Sequence, residues 1–448
     1  MDENKKTIWF AGAALVLMAL AWAVSPGRIT PEEFIDQGEP FFAEFTDPNE
    51  ATTLEVIDYD KETGSSLPFK VTFENGKWSI PSHYNYPADG EQHLANTAAS
   101  VIEMKKDDYR SSSVAEHEKF GVVDPMDENV ALKGRGQRLT IKGKGEKLLA
   151  DLIVGDTVEN KEGFRFVRVP GQSRVYAVKT DIEISTQFKD WIESDLLKVT
   201  REKINKVVIN DYTINERTIS INQRDRLTLE KDQADKWKAD KMKSGQEVDD
   251  AKINQFLTTL AELKIVDVRP KPEGLSQSLK NKADNKTISR EDRLSLQSKG
   301  FYFSSDGQLL SNEGEMLVYS EDGVVYTLRF GEVVFGGAAG EGAAGTPGES
   351  RYLFITTHFD SLSFREPVKP TDYDFESKPD SLKNAEDFKN KELAPKWEKW
   401  KRDYDNARKI TAELNQRFAG WYYVISSLSF DKLRLRRADL VVNKTDKS

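Results

Sequence analysis

Four histidines and no cysteines set the limits of side-chain chemistry in this sequence. His83 and His93 flank the start of an expected helix, where Asp89 and Glu91 would complete a metal site, yet histidines beside acids are common on solvated surfaces. His117-Glu118 lacks the second histidine four residues on that a zinc-protease helix needs, and His358 stands alone. Without Cys there is no disulfide, thiolate ligand or Cys nucleophile, a composition compatible with an oxidising compartment. The run Gly340-Glu341-Gly342-Ala343-Ala344-Gly345 spells G-x-G-x-x-G, but Thr346-Pro347-Gly348 and a strand follow where a dinucleotide fingerprint needs a helix N-terminus. It reads as a loop. Gly171-Gln172-Ser173-Arg174-Val175 fails as a nucleophile elbow at its last position. Acid pairs such as Asp107-Asp108 and Asp249-Asp250 invite a glycosidase reading, but that chemistry needs carboxylates facing across a cleft, and Asp249-Asp250 sits where a helix cap belongs. These residues assign no catalytic group, no cofactor and no metal, so the expectation is a chain that is not an enzyme.

Aromatic residues carry more information. Trp78 and Trp237 each follow a strand and precede a helix, positions that suit core packing better than sugar stacking. Trp397, Trp400, Tyr404, Ala407, Thr411, Leu414 and Phe418 recur at spacings of three and four, one apolar seam along a helix. Such a seam packs either on its own domain or on a partner, and Trp397, Trp400, Tyr404, Leu414 and Phe418 are the candidate partner-docking residues.

The elements that would carry these residues repeat. In the first half, strands at 53–59 and 69–73, the Asn75-Gly76 turn and Trp78 lead to a helix with Leu94, Ala98, Val101 and Ile102 on one face. In the second half, strands at 206–210 and 227–230 and Trp237 lead to a helix capped by Asp249 or Asp250, with Ile253, Phe256, Leu257, Leu260 and Leu263 on one face. The two tryptophans lie 159 residues apart, a period that implies a duplicated domain rather than a solenoid. Antiparallel hairpins follow the first unit at 138–141, 148–154, 164–169 and 174–178, and a matching block follows the second at 300–303, 315–320, 324–330 and 351–356. The glycine-rich run 336–348 interrupts that second block. Residues 365–395 are rich in Pro, Asp and Lys and read as a linker, with Pro395 in the first turn of the helix that follows. Residues 421–425 and 430–435 read as a terminal hairpin.

At the other end, Ile8 to Val24 carries no charge, near the lower limit for a membrane-spanning helix, with Lys5 and Lys6 before it and Trp9 and Trp22 near its ends. Ala21-Trp22-Ala23 also resembles a signal-peptide cleavage site; either reading exports the rest of the chain. With 448 residues, 31% charged, and a mean hydropathy of -0.61, most of the mass suits water. A net charge of -10 gives no overall field for nucleic acid, which is excluded as a partner.

The expected organisation is α+β: an N-terminal transmembrane helix over 1–28, a tether over 29–50, two tandem related modules of antiparallel strands with packed helices at 51–200 and 201–364, a linker over 365–395, and a C-terminal helix plus hairpin over 396–448. Phe120-Gly121-Val122-Val123-Asp124-Pro125, Leu152-Ile153-Val154-Gly155 and the stretch from Phe188 to Leu197 around Trp191 resemble an uncharacterised exported-domain family, a domain of unknown function of the DUF4340 type. The resemblance covers Thr52 to about Phe359, in two copies, and the second copy has Arg269-Pro270-Lys271-Pro272-Glu273-Gly274-Leu275 in place of the Phe-Gly turn. It carries over no catalytic residue. It implies a single-pass anchored protein partnered with the permease and auxiliary subunits of a gliding-motility-type ABC transporter, while Lys5 and Lys6 ahead of the apolar run put the N-terminus in the cytoplasm and the bulk of the chain outside the inner membrane, which it would contact through residues 8–24. The expected function is a non-enzymatic accessory subunit of an ABC-type exporter or gliding-type complex. The alternatives are an exported enzyme acting on envelope polysaccharide and a ligand-binding module.

Overall fold

The computed structural model describes residues 14–18, 36–60, 64–127, 132–182, 184–193, 195–281, 289–334 and 350–443. The glycine-rich run 336–348 and most of the apolar run 8–24 lie outside them. Of that apolar run only residues 14–18 are described, and they are helical. Among the described residues no helix is long and apolar enough to cross a membrane, so the expected fold class is corrected: the described chain is built mainly of antiparallel sheets with helices and has no transmembrane helix. The chain divides into two compact units, residues 1–70 with 92–184, and residues 71–91 with 185–448.

In the first unit, β1 (Ala51–Asp60), β2 (Ser65–Glu74, to Lys70), β5 (Asp108–Ser111), β6 (Gln137–Gly143), β7 (Leu148–Thr157), β8 (Phe164–Arg168) and β9 (Val175–Lys179) lie in the order β2-β1-β6-β7-β8-β9-β5. Alternation in β6 buries Leu139 and Ile141 and leaves Arg138 and Thr140 on the other face, where Arg138 pairs with Asp151 at 2.7 Å and Asp124 at 3.1 Å. Helix α1 (Glu91–Glu103) buries Leu94, Thr97, Ala98 and Val101. The Phe-Gly turn packs on β7 at Gly155, where a Cβ would stand 2.4 Å from the Phe120 carbonyl, so only glycine fits. Arg168, 7% exposed, holds the same turn from Nε to the Val122 carbonyl at 2.9 Å.

At Lys70 strand β2 passes into the second unit, where its last residues pair with β3 (Lys77–Ile80), which pairs with β4 (Tyr86–Pro87). The larger sheet there has β10 (Ile204–Asn215), β11 (Ser220–Lys231), β12 (Trp237–Ala239), then, after a strand β13 (Gln246–Val248) and helix α2 (Asp250–Ala261), β14 (Asp267–Pro270). Asp249 caps α2, accepting from the backbone of Ala251 and Lys252, and Asp250 stands in the first turn. Two helices, α3 (Glu273–Asn281) and α4 (Arg290–Gln297), and a small hairpin of β15 (Phe301–Phe303) and β16 (Leu309–Ser311) precede β17 (Glu315–Ser320), β18 (Val324–Val334) and β19 (Ser350–Phe359). After helix α5 (Ala385–Ala419) comes β20 (Trp421–Ile425), followed by α6 (Ser427–Leu433), α7 (Arg437–Leu440) and β21 (Val441–Asn443), which pairs with β13. The sheet order is β12-β11-β10-β17-β18-β19-β20-β14. Its strands from β11 to β14 follow the order of the first unit's seven.

Two further expectations are corrected. Residues 421–425 do not open a terminal hairpin: β20 enters the sheet between β19 and β14, while 430–433 are helical, in α6, because Ser426 caps it through the Ser429 N–H, and Phe430 and Leu433 bury one face. The 300–303 strand belongs to the small β15-β16 hairpin, not to the main sheet. Trp78 and Trp237 occupy matching strands β3 and β12, and both rings are half-buried, Trp78 against Phe73 at 5.2 Å and Trp237 with the Lys231 ammonium at 5.9 Å.

Candidate functional site

Helix α5 starts twelve residues before the seam and runs for 35 residues, about 52 Å. Its start is set by a capping box: Asn384 accepts from the Asp387 N–H, and the Asp387 carboxylate accepts from the Asn384 N–H, both at 2.9 Å. Lys378 donates to the same carboxylate at 2.8 Å and holds it below the usual carboxylate range. Pro395 therefore sits inside the helix rather than in its first turn, on the exposed side. There it withholds the hydrogen bond its nitrogen would give to the Lys391 carbonyl.

The seam divides into two halves. In the C-terminal half, Leu414 is 4% and Phe418 1% exposed, both inside the second unit's core. Strand β20 pairs only with Arg351 to Leu353 of β19, so Thr357 extends beyond it. Asn415 supplies the missing partner: its Oδ1 accepts from the Thr357 N–H at 3.0 Å and its Nδ2 donates to the Thr357 carbonyl at 2.8 Å. At the end of α5, Lys271 donates from Nζ to the Phe418 carbonyl at 3.0 Å and from its backbone N–H to the Gly420 carbonyl at 2.8 Å.

The N-terminal half is covered by residues 361–384, which double back along the helix. Phe364 and Phe359 meet the Tyr404 ring at 5.9 and 4.9 Å, and Phe364 itself lies on Gly323, where a Cβ would stand 2.1 Å from the ring. Farther along, Lys369 stands 5.6 Å from the Trp397 ring, Tyr373 donates to Glu398 at 2.8 Å, and Asn390 exchanges hydrogen bonds with Thr371. Trp397, Trp400 and Tyr404 stack in sequence, 4.9 and 5.1 Å between centres, and all three remain half-buried. The Trp400 Nε1–H is enclosed and has no acceptor among the described residues. Near the helix start, Phe388 is 52% and Leu382 71% exposed.

Of the five docking candidates, the structure thus brings Trp397, Trp400 and Tyr404 into one half-covered row and places Leu414 and Phe418 in the core. This covering segment, the strap of residues 361–384, and the exposed Leu382 and Phe388 escape the sequence reading because the Pro- and Asp-rich 365–395 reads as linker; Phe364 just before it and Tyr373 and Phe375 within it are the signal available. The histidines are dispersed. His83 stacks on Phe188 at 4.6 Å, and burial lowers its proton affinity. His117, 6% exposed, shares a hydrogen bond with the Ser173 carbonyl at 2.9 Å; burial, with Arg168 adding to it, lowers its proton affinity despite that bond. Among the described residues no three His, Asp or Glu side chains gather as a metal ion would require.

No curated protein and no solved structure matches the chain. Residues 78–278, which run from β3 into α3, match the model of a family described as Domain of unknown function (DUF4340), and over that stretch the chain is similar to that family.

Proposed function

We propose that the chain is a non-enzymatic extracytoplasmic accessory subunit of an ABC-type exporter or gliding-type complex, and that it docks its partner through the N-terminal half of α5 and the strap along it. The carrying observation is the row Trp397, Trp400 and Tyr404, half-covered by the strap, with Phe388 and Leu382 exposed beside it. Large contiguous apolar patches on soluble surfaces commonly mark contact sites. Lysines 389, 391, 396, 399 and 401 and Arg402 lie along this stretch with Glu392, Glu398, Asp403 and Asp405, and although Lys396 pairs with Glu392 and Lys399 with Asp403, the stretch keeps a basic excess in a chain whose net charge is -10. A partner face with an apolar pocket and an acidic rim complements that pattern. The transporter part of the proposal rests on the family resemblance. Affinity purification of the full chain from intact membranes tests it: the permease or auxiliary subunits should co-purify with the native chain and be lost with Leu382→Ser and Phe388→Ser together, while the melting temperature stays unchanged. Equal recovery with both substitutions would refute docking through the helix arm.

A further inference from the structure

Three cationic side chains gather on one face of the second unit's main sheet. Arg269 pairs with Tyr422 across β14 and β20, and Asp267 and Tyr352 both lie opposite Val424, so Arg269, Asp267, Tyr352 and Tyr422 share that face. Lys299, just after α4, places Nζ 4.9 Å from the Tyr422 ring centre and 5.8 Å from that of Tyr352. Lys271 places Nζ 5.5 Å from the Tyr422 ring and 3.8 Å from Phe354. The Arg269 guanidinium stands 5.6 Å from the Tyr84 ring, in a loop where Tyr84 and Asn85 both hold the left-handed conformation, φ 58° and 59°.

Negative charge on this face is scarce. Asp267 is bonded to Arg269, Asp292 is engaged in the cap of α4, and His83 adds no anion. Among the described residues no carboxylate pairs with Lys271 or Lys299. Lys271 is fully enclosed and is accounted for by the helix end it caps. Lys299 and Arg269 are different, because both keep contact with solvent. Among the described residues Lys299 bonds only the Ser295 carbonyl and the Ser298 hydroxyl, each at 3.3 Å. Among the described residues both hydrogen bonds of Arg269 leave from Nη1, so its Nε and Nη2 remain available. Two cations on a half-buried aromatic surface, with one carboxylate between them, lack a counter-charge.

We propose that Arg269 and Lys299 form an oxyanion site, in which a phosphate or carboxylate group of a ligand sits beside the Tyr352 ring and takes hydrogen bonds from the free guanidinium edge and from the ammonium. Such bonds are charge-assisted, and a guanidinium edge matches two oxygens of one group. Burial, with Arg269 adding to it, lowers the proton affinity of Lys299, and a bound anion would reverse that. The site is independent of the docking reading and survives its failure.

The full chain is titrated at fixed ionic strength with inorganic phosphate, followed by phosphorus line broadening, and with glucuronate, followed by melting temperature. Saturable binding of phosphate assigns a phosphate-bearing ligand, and saturable binding of glucuronate a carboxylate-bearing one. Lys299→Gln should weaken binding about tenfold or more, and Lys299→Arg should retain it. Saturable protection of Lys299 from reductive methylation by the same anion supplies a readout that needs no variant. Absence of saturable binding by either anion, equal affinity in Lys299→Gln, or unchanged methylation of Lys299 at saturating anion would overturn the site.

Discussion

The turn between β8 and β9 and the connection between β19 and β20 occupy the same place in two sheets of the same strand order, yet they differ tenfold in length. The first uses six residues, 169–174; the second uses 360–420 and carries the strap and α5. Both close an antiparallel neighbour pair, so sheet closure alone does not require the arm. The C-terminal half of α5 has nonetheless become part of its sheet: Asn415 completes β19, and Phe418 sits in the core. The N-terminal half contacts chiefly the strap and keeps its aromatic row half open. An insertion that is structural at one end and exposed at the other is a reasonable place to find a docking element, which is the physical basis of the proposed function.

Substitutions can break this contrast at either end. The largest effect is expected from Phe418→Ala, which should destabilise the second unit by about 3–5 kcal/mol in chemical denaturation. An exposed-helix value below about 1 kcal/mol there would erase the division of the helix. Asn415→Ala leaves the Thr357 backbone groups without partners and should cost about 1–3 kcal/mol, while Asn415→Asp should recover part of it through the Thr357 N–H.

The first unit gives a pH-dependent control. His117 is held below its ordinary value of 6.5 in the folded state, so its contribution is full above pH 6.5 and is lost as pH falls from there through the lower folded value. Melting curves over that range should show the native chain losing stability faster than His117→Gln, whose amide keeps a donor for the Ser173 carbonyl. Parallel curves would contradict the assignment. The smallest effect is expected at the open end of the seam. Trp400→Phe removes an enclosed N–H that has no acceptor, so stability should change by less than about 1 kcal/mol, in contrast to Phe418.

Much of the sheet architecture was legible, because two-residue alternation at 138–141 and the paired helices with apolar faces at 94–101 and 253–260 report local burial directly. The order of elements beyond 359 was not. Residues 421–425 look alike whether they pair with a neighbour in sequence or with β14 and β19, and only long-range contacts distinguish the two. Local charge and proline content concealed the strap, since Phe364 meets the helix at Tyr404, 40 residues away, and Phe375 packs on Tyr373 within the strap itself. The seam's spacing located the aromatic row, but periodicity cannot say which half of a helix is covered. The Arg269 and Lys299 pair left no local pattern, because β14 and the end of α4 meet only through the sheet face.

Photo-crosslinking in intact cells tests the central claim most directly. A benzoylphenylalanine is placed at Phe388, on the open end of α5, and in a second strain at Val114, an exposed position of the first unit. Docking through the arm predicts a discrete crosslinked product from position 388 that contains a transporter permease or auxiliary subunit, and none from position 114. No product from 388, or the same product from both positions, would contradict it.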